Sequence, residues 1–203
     1  MAMGGERMAF SDQIGSVQLH LTRYVWALKH CVGRRVLDAC CGIGYGSDLL
    51  GQVGLEVLGV DCSPEAIMAA QAYNRGNVTF QECRIEDLSV RPLFDTVVCF
   101  EALEHLDDMD AGMAKLLSLT MPYGTLLVSL PVHCGENPWH HARDYSVAQW
   151  DEFMGKLDLE MIRFYQKPGD EVPSFSNCDI QYRTHSTEAA AGYSLYIVKK
   201  GLS

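Results

Sequence analysis

Three side chains able to do acid–base or metal chemistry fall close together in FEALEHL, residues 100–106: Glu101, Glu104 and His105. Offsets of three and four put them on one face if the segment is helical. Two carboxylates and an imidazole so placed can hold a divalent cation, and without a metal the imidazole suits a general base near neutral pH. The segment ENPWHHARDYS, 136–146, carries two further histidines, His140 and His141, and one of them can complete a Glu/Glu/His/His set. A plainer role is open to the same residues: acids in a helix's first turn favour its macrodipole, and a single His105 can cap or pack.

A second constellation lies upstream. VLDACCGIGYG, 36–46, places Asp38 at the end of an apolar run, followed by glycines 42, 44 and 46. Glycines there let the backbone approach a ligand, and a following helix would offer free N–H groups to a carboxylate or phosphate. The spacing is not the G-x-G-x-x-G of dinucleotide binding, and no Gly-Lys-Ser/Thr follows, so nicotinamide, flavin and ATP are disfavoured. GVDCSPEAI, 59–67, ends a second apolar run in Asp61, whose carboxylate can accept both hydroxyls of a ribose. Asp61 can instead belong to a helix start, since Ser63-Pro64 is a good one.

The elements that must position these groups alternate. Apolar runs at 35–40, 56–62, 77–83, 94–100 and 124–130 read as strands, and stretches at 45–53, 64–75 and 101–121 read as helices. Near-continuous apolar strands separated by helices predict an α/β fold with a parallel sheet covered on both faces. Strand C-terminal ends then gather Asp38, Asp61 and Glu101 at one edge. A helical stripe over 10–31 precedes the first strand, and after Pro131 come a polar loop at 132–145, a helix from Ser146, a strand at 161–167, an irregular stretch from 168 to 190 and a closing strand at 192–201. Trp139, Tyr145, Trp150 and Phe153 read either as a substrate lid or as packing anchors.

Bulk composition narrows the partners. The chain has 203 residues, 48% hydrophobic and 21% charged, with a formal net charge of −10. That balance suits one globular domain and repels phosphate backbones, making nucleic acid an unfavoured partner. Eight cysteines lie scattered without a Cys-x-x-Cys pair, the pattern of reduced thiols in a cytoplasmic protein, and no apolar run is long enough for a membrane span.

Taken together, VLDACCGIGYG and GVDCSPEAI resemble the class I S-adenosylmethionine-dependent methyltransferases, most strongly over 34–131. The resemblance implies a Rossmann-like, doubly wound, mostly parallel seven-stranded sheet with its last strand antiparallel. It divides a single domain into an N-terminal helical cap (10–33), a cofactor-binding core (34–131) and a substrate-loop and C-terminal strand region (132–203). It implies S-adenosylmethionine as cofactor, with Asp38, Cys40, Gly42 and Gly44 at its methionine part, Asp61 and Cys62 at its ribose, Arg84 and Ile85 beside its adenine, and Tyr24 and Glu101 as further walls of the pocket. Three departures stand out: Cys40 where the family has glycine, Arg84 where an acid is frequent, and MPYG at 121–124 in place of Pro-Gly-Gly.

FEALEHL resembles the Glu-x-x-Glu-His segment of ubiquinone-pathway O-methyltransferases and of enzymes that methylate small-RNA 3′ ends. By that resemblance the metal ligands for Mg²⁺ or another divalent ion are Glu101, Glu104, His105 and His140 or His141. NPWHHARDYS and the earlier His20, Arg23 and Tyr24 look like segments of bacterial methyltransferases of sugar and cell-envelope biosynthesis. The chemistry implied is methyl transfer to a hydroxyl of a small-molecule or saccharide acceptor, with His105 and His140 as the catalytic bases. Methylation of the RNA 2′-hydroxyl and cofactor binding without catalysis are the alternatives.

Overall fold

The structure, a computed structural model, describes residues 14–53, 55–73, 75–132, 145–166, 181–182 and 192–202. Helix α1 (Ile14–Leu28) leads into β1 (Arg35–Ala39), α2 (Tyr45–Gln52), β2 (Glu56–Asp61), α3 (Pro64–Ala70), β3 (Val78–Glu82) and β4 (Phe94–Phe100). There follow α4 (Met109–Leu119), β5 (Thr120–Val132), α5 (Val147–Gly155), β6 (Glu160–Gln166), the two-residue β7 (Gln181–Tyr182) and β8 (Gly192–Lys199). The sheet runs in the order β3-β2-β1-β4-β5-β8-β6-β7. Strands β1 to β5 are parallel neighbours, and β8 lies antiparallel between β5 and β6. The doubly wound mixed sheet is the one anticipated, with β7 added as a short pairing on the outside of β6.

Side-chain alternation along the central strands decides which groups meet. Leu37, Ala39, Val97, Cys99, Leu126, Val128 and Leu130 point to one face and pack under α4 and α5 with Met113, Leu116, Trp150 and Met154. Val36, Val98, Phe100 and Leu127 point to the other face, under Tyr24, Trp26 and Ala27 of α1 and Leu50 of α2. Period-two geometry therefore sends Asp38 and Ser129 toward α1 and α2. These are the faces on which the candidate site is built.

Two boundaries differ from the sequence reading. Residues 101–121 do not form one helix: a 3₁₀ turn at Leu103–His105 comes first, and α4 starts only at Met109. Glu101 has φ +51°, which a right-handed helix cannot include, and the Asp108 side chain accepts from Ala111 N at 2.9 Å, capping the later start. Strand β5 in turn begins at Thr120 rather than 124, as the Thr120 hydroxyl donates to Leu116 O at 2.9 Å and closes the helix. The other strands fall within a few residues of their expected places, and α3 ends earlier, at Ala70.

Trp150 anchors α5 against the sheet: it is fully buried and its indole N–H donates to Pro131 O at 2.6 Å. Ser146 caps the same helix through a reciprocal bond with Gln149. Trp150 and Phe153 are thus packing anchors, with the Tyr145 ring tilted against Trp150 at 4.6 Å between centroids, while Trp139 lies outside the described residues. Trp150→Ala should cost about 3–5 kcal/mol, read as a lowered urea midpoint with an unchanged slope.

Candidate active site

Asp38, the next-to-last residue of β1, has no exposed surface. Its Oδ1 accepts the Tyr24 hydroxyl at 3.0 Å and its Oδ2 the Ser47 hydroxyl at 2.6 Å, so one carboxylate ties α1 to β1 and α2. Burial pushes it up to about 7, against the lowering effect of the Ser47 and Tyr24 bonds. The glycine turn beside it is tightly shaped. Gly44 has φ +83°, and a Cβ there would lie 2.6 Å from that of Ala70; one on Gly46 would run into the Tyr24 ring.

Asp61, at the end of β2, accepts Gly42 N and Ser63 N, each at 2.9 Å, one on each oxygen. Ser63 itself caps α3 by accepting Ala66 N at 3.2 Å. The acid therefore stitches the two strand-end loops together, with a further lone pair on each oxygen for hydroxyl donors. Cys40 stands in the left-handed region at φ +61°, a backbone conformation glycine supplies at least cost, and its side chain packs against the α4-side core. Cys62 is exposed. Ile85 is buried in the same core, while Arg84 is exposed and paired with Glu86 at 3.0 Å and Asp107 at 3.8 Å.

Beyond the end of β4 lies a second polar group. Glu101 N donates to Ser129 O at 3.1 Å, and the Ser129 hydroxyl donates to Glu101 Oε1 at 2.7 Å. Arg23, its side chain 2% exposed, places Nε 4.0 Å from that same oxygen. Its guanidinium also donates to Gln166 Oε1 at 2.9 Å and stacks over the Tyr193 ring at 4.0 Å. Burial raises the Glu101 carboxyl, against the lowering influence of Arg23, Ser129 and His105. One turn earlier on α1, His20 Nδ1 is hydrogen-bonded with the Tyr45 hydroxyl, and burial and then Arg23 hold this imidazole well below its usual range.

Glu104 is fully buried and His105 lies toward solvent, its Nε2 3.9 Å from Glu104 Oε1. The single helical face expected for Glu101, Glu104 and His105 is not formed, because Glu101 precedes the 3₁₀ turn. Among the described residues no three His, Cys, Asp or Glu side chains gather closely enough to hold a metal ion. Glu101 has the Ser129 hydroxyl on Oε1 and the Arg23 guanidinium beside it. His140 and His141 lie outside the described residues.

The chain matches a methyltransferase domain model over residues 18–167. It belongs to the class I methyltransferase domain family. A relative from Mycolicibacterium smegmatis, named a probable S-adenosylmethionine-dependent methyltransferase, is 30% identical over 153 residues, covering 70% of this chain and 58% of its own. A ubiquinone biosynthesis O-methyltransferase from Xanthomonas euvesicatoria is 34% identical over 111 residues, 52% of this chain and 46% of the relative. This chain thus spans about half the length of the curated relatives it matches. In architecture it is similar to magnesium protoporphyrin IX methyltransferase from Synechocystis, solved with bound S-adenosylmethionine, at TM-score 0.65 and 21% identity over 97% of this chain and 87% of that one. Bacillus YcgJ gives TM-score 0.66 at 17% identity, covering 89% of this chain and 99% of that one.

In this methyltransferase domain Asp38, Asp61 and Glu101 lie at the C-terminal ends of three neighbouring parallel strands and so share one edge of the sheet. Sequence reasoning did not single out Ser47, Ser129, Gln166 or Tyr193. Ser129 had a usable signal, since β-alternation from Leu127 places it on the Asp38 face, whereas Gln166 and Tyr193 come from a distant part of the chain with no motif of their own. Gly46→Ala should displace Tyr24 and weaken S-adenosylhomocysteine binding by at least tenfold in calorimetry while the far-ultraviolet spectrum stays native.

The raised Asp38 carboxyl also fixes a pH dependence. An unfolded aspartate titrates near ~3.9, so the folded state holds this proton more tightly. Its contribution to stability is complete below about pH 4 and is lost as pH rises through about 7, by at most about 4 kcal/mol. Urea unfolding between pH 5 and 8 should show wild type losing stability relative to Asp38→Asn.

Proposed function

We propose that this methyltransferase moves the methyl group of S-adenosylmethionine to a hydroxyl of a small-molecule or sugar-containing acceptor. The carrying observation is the pairing of Glu101 with Ser129 at the end of β4, beside the Asp38 cradle: a carboxylate and a hydroxyl at the edge from which a methyl group would leave. A relative named as an O-methyltransferase supports a hydroxyl acceptor, and the net charge of −10 favours an acceptor without a phosphate backbone.

In the step, the acceptor oxygen attacks the methyl carbon in line with sulfur, the carbon–sulfur bond breaks with its electron pair staying on sulfur, and neutral S-adenosylhomocysteine leaves. The hydroxyl proton passes to a base, for which His105 is the described candidate and His140 the second. Holding both reactants in attack geometry supplies roughly 7–11 kcal/mol of the barrier, and the buried tie from α1 through Tyr24 to Asp38 supplies the rigidity this needs. No step is assigned to a metal, since Glu101 is engaged by Ser129 and Arg23.

The test is transfer of isotopically labelled methyl from S-adenosylmethionine to a panel of sugars, sugar nucleotides, catechols, amines and RNA oligonucleotides. The expected product is an O-methyl sugar or catechol, with His105→Ala lowering kcat by about 10²–10⁴-fold and leaving S-adenosylhomocysteine affinity within threefold. Labelling confined to amines or to RNA, or no cofactor binding at all, would sink the reading.

A further inference from the structure

We propose that Arg23 is the resident cation of the acceptor side, holding Glu101 where a divalent metal would otherwise be needed, so that the Glu-x-x-Glu-His segment of this chain works without one. The inference rests on the methyl-transfer reading for its consequence in catalysis, but its geometry stands apart from it.

A guanidinium at 2% exposure has lost nearly all its water, and a buried cation persists only where neighbouring groups answer its charge. Arg23 has three such neighbours. Gln166 Oε1 takes one N–H at 2.9 Å, the Tyr193 ring offers its electron-rich face at 4.0 Å, and Glu101 Oε1 stands 4.0 Å from Nε. Of these Glu101 brings a formal negative charge. The Nε–H itself makes no hydrogen bond, so its interaction with Glu101 is one of charge and not of direct bonding. The pairing is mutual: the carboxylate answers a cation that cannot reach water, and the cation fixes the carboxylate on the α1 side of the sheet.

A divalent ion on Glu101 would sit close to a fixed positive charge at a mostly buried position, where repulsion is poorly screened, on a carboxylate whose Oε1 already accepts the Ser129 hydroxyl at 2.7 Å. Moving Glu101 away instead would take from Arg23 the carboxylate that answers its charge among the described residues. Arg23 is fixed in turn by α1, whose next residue, Tyr24, binds Asp38 at 3.0 Å. Donor and acceptor sides are therefore set from two consecutive positions of one helix.

The experiment uses the metal-stripped full chain, as wild type, Arg23→Gln, Arg23→Lys, Glu101→Gln and the double variant Arg23→Gln/Glu101→Gln. Mn²⁺ and Mg²⁺ are titrated calorimetrically, S-adenosylhomocysteine affinity is measured for each, and Tm is recorded. Wild type is expected to bind Mn²⁺ no more tightly than millimolar, and Arg23→Gln to gain at least tenfold in Mn²⁺ affinity, a gain that Arg23→Lys does not show. In Tm, each single neutralisation should cost more than half of what the double variant costs, as expected for two charges that answer each other. If Arg23→Gln does not fold, the Mn²⁺ titrations of wild type and Glu101→Gln carry the test. Micromolar Mn²⁺ binding by wild type that Glu101→Gln abolishes would overturn the proposal. So would a tenfold or greater loss of S-adenosylhomocysteine affinity in Arg23→Gln with no gain in Mn²⁺ affinity, which would make Arg23 a cofactor ligand. Neither readout needs the acceptor, so failure to find a methylated product would count against the proposed function alone.

Discussion

The site depends on a carboxylate that water cannot reach. Asp38 gives one oxygen to Tyr24 and the other to Ser47, and through them the positions of α1 and α2 are set relative to the end of β1. Burying a carboxylate is unfavourable unless its oxygens are bonded, and two hydroxyl donors from two different helices provide the bonds. The arrangement is strict. Without Tyr24 an oxygen is orphaned and α1 is loosened from the sheet, and a side chain on Gly46 has the same effect by pushing the ring aside.

From that point the two halves of the site follow from strand geometry. Asp38 and Ser129 face α1 because Leu37 and Val128 face α4. Position 23 of α1 meets the carboxylate at the end of β4, and position 24 meets the one at the end of β1. The left-handed backbone at Glu101 stops β4, keeps the residue out of the following 3₁₀ turn and turns its carboxylate to Ser129. Residues in such conformations persist where surrounding structure over-determines them. Here a backbone bond to Ser129 O, a hydroxyl bond from the same serine and a neighbouring cation all act on one residue.

Much of this was legible in the residues. Strand runs of six or seven residues, glycines 42, 44 and 46, and acids near the ends of the first two strands marked the parallel sheet and its turns, because each depends on local pattern. The helix expected at 101–121 was misjudged because three-and-four spacing describes a helix face only where the backbone is helical, and spacing carries no information about φ at Glu101. Likewise nothing local marks Arg23 as the partner of Gln166, 143 positions away, since that meeting is made by the sheet order and not by sequence distance. Cys40 is a milder case: its departure from glycine is visible in the sequence, but its accommodation in a left-handed turn is visible only in the fold.

The placement of β8 between β5 and β6 gives the two halves different histories. The cofactor edge is made by segments that follow one another directly, each strand docking on one already formed. The acceptor side must wait for the last strand to enter the sheet, because Tyr193 belongs to β8, and Gln166 ends a strand whose nearest neighbour toward the centre is β8. Closing such long loops is slow and entropically costly. A chain emerging N-terminus first therefore has every residue of the Asp38–Asp61 edge before it has Gln166 and Tyr193, so the surroundings of Arg23 are the last part of the site to be supplied.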